Sequence, residues 1–466
     1  MALPPDDLEG DRGFEEHHMT PTAGSTAQLA AFIVDTPTDA IPDQMLHEAK
    51  RTLLNVFGVA LSAAQDHSVD ALEAAGDLGS PEAQVIGRGH TSLGQAALLN
   101  GYLAHLQDYD DTHFPTILHP SAPVWPAALA AAERTSASGR DVLAAFAIGA
   151  EVACRIAMSI HPWHYDAGWH ITGTVGGFGA AAAAARLLNL SAEETAQALG
   201  LAGTHAAGVR EAFGTNGKAL HAGHAAASGL RAAVLAGGGF TGPTAILEGR
   251  RGFWAVLSPN GHDATWVDAL GAPLEQWELR NNGLKPYANG VVSHPLQDAV
   301  IELRNQYKID PAAVTAIEAR VHPLVLELMN LDPTVGLEGK FSHRHCAAAA
   351  LVDGAGHEAQ FTDARVQDPQ IAAIRSLVHA SIDDSLAEDE VHVTIRLADG
   401  SAHSTHVPHT TGSPENPMSD DQLITKYRAI ASDALDDSGV TALFEAVWSL
   451  DRASSIGEAM ELASRR

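Results

Sequence analysis

The chain has 466 residues, 45% of them hydrophobic, enough for a large buried core and, by length, two or three domains. Lys and Arg total 28 against 57 Asp and Glu, a formal net charge of -29. So acidic a chain excludes a nucleic-acid binder, which needs clustered Lys and Arg against phosphates. The two cysteines, Cys154 and Cys346, are too few for a disulfide framework or a cysteine-ligated iron–sulfur cluster and read as buried free thiols.

Residues 1–22 are polar, charged and proline-bearing and lack the apolar core of a secretion signal, so a disordered leader is expected there. No uninterrupted apolar run reaches membrane-spanning length without Gly, His or charge, which predicts a cytoplasmic protein with no membrane contact. From Ala27 to about Leu270 the pattern is helical and rich in Ala and Leu. Pro42-Asp43-Gln44 opens a helix with Leu46, Ala49, Leu53 and Phe57 on one face. Further helices are predicted over Thr91–Leu106, Ala127–Arg134 and Val142–Met158, and Ser191 with Glu194 forms a capping box before another through Ala202. Gly173-Thr174-Val175-Gly176-Gly177-Phe178-Gly179 resembles a phosphate loop, but no strand precedes it, so close helix packing explains the glycines better.

Past Leu279 the texture changes. Val314–Val321 and Glu390–Leu397 alternate as strands, and Ala398-Asp399-Gly400-Ser401 signals a hairpin with a return strand near His403–Val407. With helices at Pro295–Gln306 and His343–Val352, residues 280–410 form a smaller α+β domain. Residues 411–466 are helical again and are expected to return to the helical domain of residues 23–279. The predicted fold class is therefore mainly α, with an inserted α+β domain.

Five clusters carry candidate chemistry. The first runs from Asp108 through Asp110, Asp111, Thr112 and His113 to His119, at a helix end and the proline-bearing loop beyond it. Its residue types suit a carboxylate–imidazole acid–base network, while the spacing matches no metal motif. The second is His161-Pro162-Trp163-His164-Tyr165-Asp166-Ala167-Gly168-Trp169-His170, where His170 starts a helix. The third, Gly214-Thr215-Asn216-Gly217-Lys218-Ala219-Leu220-His221, places Lys218 in a Gly-rich loop. The fourth is Leu284-Lys285-Pro286-Tyr287 with His294 beyond it, and the fifth is Phe341-Ser342-His343-Arg344-His345-Cys346. Imidazoles, lysines and an aspartate together suit a small polycarboxylate whose C–H proton needs a base and whose enolate needs cations.

Asp-Tyr-Asp-Asp-Thr, His-Pro-Ser, Gly-Trp-His, Gly-Thr-Asn-Gly-Lys, Leu-Lys-Pro-Tyr and Gly-Lys-Phe-Ser occur in that order between about Ala27 and Ser449. In this the chain resembles the MmgE/PrpD family, which includes 2-methylcitrate dehydratases, cis-aconitate decarboxylases and iminodisuccinate epimerases. The resemblance implies that the inserted α+β domain is a lid on the helical one, and that the protein is a homodimer acting on a small carboxylate without a metal or organic cofactor. It implies His170, His119, Asp108 and Lys218 as catalytic residues, and Thr112, Lys285, Tyr287, His294 and His345 as substrate-binding ones. Proton removal next to a carboxylate, leading to dehydration or a related elimination, is the implied reaction, with epimerisation or a non-catalytic metabolite-binding dimer as alternatives. The longer Thr112–His119 spacing, Gly290 in place of a histidine and His345 in place of a tyrosine depart from the decarboxylase pattern. They point away from cis-aconitate decarboxylation itself.

Overall fold

Small side chains set how closely the helices approach. In the computed structural model, which describes residues 24–76, 79–270 and 277–464, the helix Asn216–Gly237 crosses both Leu93–Leu106 and Ile171–Leu187. A Cβ on Gly223 would lie 2.4 Å from the Leu98 carbonyl oxygen, and one on Gly229 would lie 2.5 Å from that of Gly177. At these crossings backbone meets backbone, and any larger residue would force the helices apart. The glycines that mimic a phosphate loop are buried within the helix Ile171–Leu187, with Gly176 against Pro123 and Gly179 against the Gly149 carbonyl. The helix Gly139–Ile160 is long and apolar enough to cross a membrane, yet 94% of its most apolar window is buried inside the protein.

Local signals place most helix starts. Asp43–Ala63 begins after Pro42, and Ser191 and Glu194 form the expected capping box for Ala192–Thr204. One expectation is corrected. Lys218 lies in the first turn of Asn216–Gly237, not in a loop, because the Thr215 hydroxyl accepts from the Gly217 N–H at 3.1 Å and caps the helix. Both cysteines are buried free thiols. The leader expected at residues 1–22 lies outside the described residues.

Among the described residues two large apolar cores form, beside a small cluster of Ala181, Leu201, Ala202 and Ala232. The larger draws on Leu29 to Leu284 and again on Met418 to Ala463, so both ends of the chain build it. The smaller draws on Ala288 to Val407, joined by Val59, Tyr109 and Ile430. It lies under a four-stranded sheet in the order Val378–Ile382, Val314–Val321, Val391–Leu397, Ala402–Val407, whose first pair is parallel and whose others are antiparallel. The helices His294–Tyr307 and His343–Asp353 complete this core. The strand Val378–Ile382 was not among those predicted; only Val378 of its five residues is buried, so it lacks a clear alternation.

The loop after Leu93–Leu106 is fastened where the two cores meet. Asp111–His113 pairs antiparallel with Asn282–Leu284, setting Asp111 opposite Leu284. The buried Lys426 donates to the Tyr109 and Lys285 carbonyls, both at 2.8 Å. Lys340, also buried, donates to the Gln107 carbonyl at 2.7 Å and the Ala288 carbonyl at 2.8 Å.

Candidate active site

Gln107 ends the helix and Asp108 takes a left-handed conformation, φ 52°, one of the few that Asp adopts readily. Asp108 Oδ1 accepts from Lys218 Nζ at 2.6 Å and from Lys285 Nζ at 2.7 Å. Lys285 Nζ also reaches the Asp108 carbonyl at 3.2 Å and Asp110 Oδ1 at 3.5 Å. All four side chains are buried. Burial alone would raise the Asp108 carboxyl, but Lys218 and Lys285 outweigh it and hold it well below the usual range. Burial pulls the Lys218 ammonium down against the opposing pull of Asp108. For Lys285, the carboxylates Asp108 and Asp110 overcome burial and push it up. Both bridges charge an otherwise apolar interior.

Three imidazoles surround this ion cluster. His105 Nδ1 lies 2.6 Å from Asp110 Oδ2, His119 Nδ1 lies 2.6 Å from the Asp111 carbonyl, and His170 Nδ1 lies 3.0 Å from His221 Nδ1. The first two partners are acceptors, so Nδ1 of His105 and His119 carries the proton and Nε2 the lone pair. His170 takes the same tautomer when its Nδ1–H donates to His221. Nε2 of His105 and of His170 is buried with no hydrogen-bond partner. Burial, reinforced by the lysines, drives His119 and His170 well below the usual imidazole range, and burial also lowers His105. The rings are therefore neutral bases at neutral pH. Asp111 differs from its neighbours: burial and then Asp110 push it up to about 6, while Ser121 and Asn282 hydrogen-bond to it.

Five of these groups line one pocket. Asp108, His119, His170, Lys218 and Lys285 supply its polar wall, and Tyr165, Phe213, Met329 and Phe341 much of the apolar one. Phe213 links the two, with its ring 5.2 Å from that of His170 and Lys218 Nζ 5.4 Å above it. The other predicted site residues stand back from the pocket wall. Thr112 Oγ1 lies 3.2 Å from His119 Nδ1, beneath that ring. Tyr287 donates its hydroxyl to Asp298 at 2.5 Å, and its ring lies edge-on to His294, whose Nε2 is 3.2 Å from the Asn289 carbonyl. His345 turns Nε2 to the Gln360 carbonyl at 2.8 Å and its ring toward Phe361. Tyr287, His294 and His345 do not line the pocket, and their contacts lie within the smaller α+β body.

Two participants stood in stretches singled out by the sequence but were given no role: His105, one polar position in an apolar helix, and His221, one turn after Lys218. By spacing, His105, His119 and His170 could also hold a metal, since each offers a ligand atom within 4.8 Å of the others. The ammonium groups of Lys218 and Lys285 beside them oppose a dication.

Fold and site together define a protein with a helical core built from both chain ends, a smaller α+β body, and a lysine–imidazole pocket where they meet. The MmgE/PrpD N-terminal domain matches residues 27–265 and the MmgE/PrpD C-terminal domain matches residues 287–451. The chain belongs to the MmgE/PrpD family. It is 28% identical to a cis-aconitate decarboxylase of Aspergillus terreus, over 94% of this chain and 96% of that one. It is also 28% identical to the cis-aconitate decarboxylase of Homo sapiens, over 76% of each. A cis-aconitate decarboxylase-like protein of Aspergillus oryzae is 27% identical, over 96% of this chain and 98% of its own.

Proposed function

We propose that the protein is a lyase of a small di- or tricarboxylate, working through a carbanion next to a carboxylate. The observation that carries this reading is the buried, unpartnered Nε2 of His170, a lone pair in a pocket that also presents Lys218 and Lys285. A buried nitrogen without a partner is costly, and a substrate C–H or a transferred proton gives it a role. In the forward sense Nε2 takes the proton, the C–H electron pair becomes an enolate held by Lys218, and a leaving group on the next carbon departs to form the alkene. In a decarboxylation the C–C electron pair stays on the carbon as carbon dioxide leaves, and a proton taken up from solvent by His170 Nε2 is delivered to that carbanion. The lyase assignment has further support from the decarboxylase relatives. Lys218, Lys285 and Asp108 set the charge of the site, and His119 is the second imidazole at the pocket.

A specific observation favours a second reading, epimerisation. His119 and His170 both line the pocket, and two imidazoles of this kind serve proton removal on one face and return on the other. The resemblance also supports a homodimer that needs no metal or organic cofactor for catalysis; a mass of twice 48.7 kDa in light scattering tests the dimer.

A panel of di- and tricarboxylates, cis-aconitate included, incubated in D2O and read by NMR separates these outcomes. Elimination or decarboxylation marks the lyase, and deuterium entry with inversion marks the epimerase. His170→Ala should remove turnover and leave the fold intact. If no panel member exchanges, eliminates or loses carbon dioxide, or if His170→Ala turns over normally, the reading fails.

A further inference from the structure

The four-stranded sheet buries Val391, Val393 and Ile395 and turns the alternate residues outward, and its outer pair of strands carries histidines in register. His392 and His406 are cross-strand partners whose rings stack with centroids 4.1 Å apart and planes at 9°. Glu390 lies two residues before His392, on the same side of the strand. Its Oε1 is 2.7 Å from His406 Nε2, and its Oε2 accepts from the Ala387 N–H at 3.1 Å, which fixes the carboxylate. Ligand atoms of Glu390, His392 and His406 all lie within 4.8 Å of one another. The nearest cation across the sheet, Arg320 opposite His392, is neutralised by Asp383 at 2.9 Å. None of the three residues lines the pocket described above.

We propose that Glu390, His392 and His406 form a surface site for a divalent transition metal of the zinc, nickel and copper class. Two imidazoles and a carboxylate are donors suited to these ions, and three protein ligands leave further positions to water. Strand register holds the two imidazoles side by side, so a small rotation of rings on the open face closes the ligand spacing. His406 moves its proton to Nδ1 as Nε2 takes the metal, and Glu390 exchanges its hydrogen bond for a metal–oxygen bond. The overall charge of -29 favours a cation at such a position.

The test is calorimetric titration of full-length, tag-free protein with zinc chloride and with nickel chloride, beside His392→Ala, His406→Ala, Glu390→Gln and His170→Ala. Wild type and His170→Ala should each bind one equivalent. His392→Ala and His406→Ala should lose at least about tenfold in affinity, and Glu390→Gln less. These side chains are at least partly exposed, so their removal leaves the core packing untouched. No binding to wild type, undiminished binding to both histidine variants, or loss of the equivalent in His170→Ala would each overturn the assignment. The last result would move the ion to the buried imidazoles. Because the readout is binding, it stands apart from the proposed reaction.

Discussion

Lys218 and Lys285 meet the same oxygen of Asp108, but their surroundings give them different work. Lys285 is 2% exposed and also reaches Asp110 and the Asp108 backbone, so its charge is consumed by the protein. Lys218 lies at the pocket with aromatic rings of Phe213 and Phe341 near its ammonium. Lys285→Met should therefore act first on stability. Removing one partner of a buried ion cluster costs about 3–5 kcal/mol, because Asp108 and Asp110 are left undercompensated. Lys218→Met leaves Lys285 in place against Asp108, so it should lose less stability and more turnover. Urea unfolding of both variants, with rates on the identified substrate, checks the contrast. Similar small stability losses in the two would refute the division of roles.

At the scale of elements, the site depends on the short ribbon that joins Asp111–His113 to Asn282–Leu284. Gly283, opposite Thr112, has no room for a side chain, since a Cβ would lie 2.1 Å from the Gly412 carbonyl oxygen and 2.6 Å from the Phe114 ring. Gly283→Ala should destabilise the protein by about 1–3 kcal/mol and shift Lys285 relative to Asp108. A thermal midpoint equal to wild type would show that the ribbon yields without strain. The ribbon was not legible in the sequence. Three-residue strands whose partners lie some 170 positions apart leave no local period to read. The main helices were legible because their caps and apolar faces are local, as Ser191 with Glu194 shows. Lys218 was recognised, but Gly214 and Gly217 just before it disguised the helix whose first turn it occupies. His105 was hidden for the opposite reason, since nothing in an apolar helix announces that one imidazole will meet Asp110. Asp108, His119 and His170 were placed by motif order, which carries residue identity but not the tautomers that make two of them bases.

For the whole molecule, a buried neutral imidazole is a pH liability. Burial lowers His105, His119 and His170, and takes His294 down to about 3. Each native value lies below the unfolded 6.5, so the unfolded chain binds more protons once pH falls through that value. Stability is then complete above about 6.5 and declines on acidification, with His294 alone contributing about 2 kcal/mol of loss at pH 5. Buried carboxyls act in the opposite sense, Asp111 raised to about 6 and Glu133 and Glu388 to about 7, but His164, His221 and His345, each lowered to about 4, add to the imidazole side. Urea midpoints at pH 7.5 and 5.0 should therefore differ clearly, and equal midpoints would contradict the neutral assignment. The clasp of buried lysines around residues 107–113 has one more consequence, in time. During synthesis Asp108 and Asp110 leave the ribosome long before Lys285, Lys340 and Lys426, the cations that satisfy this loop and its carbonyls. The nascent helical half must keep that loop hydrated while the rest of the chain emerges, so the pocket is among the last parts of the protein to close.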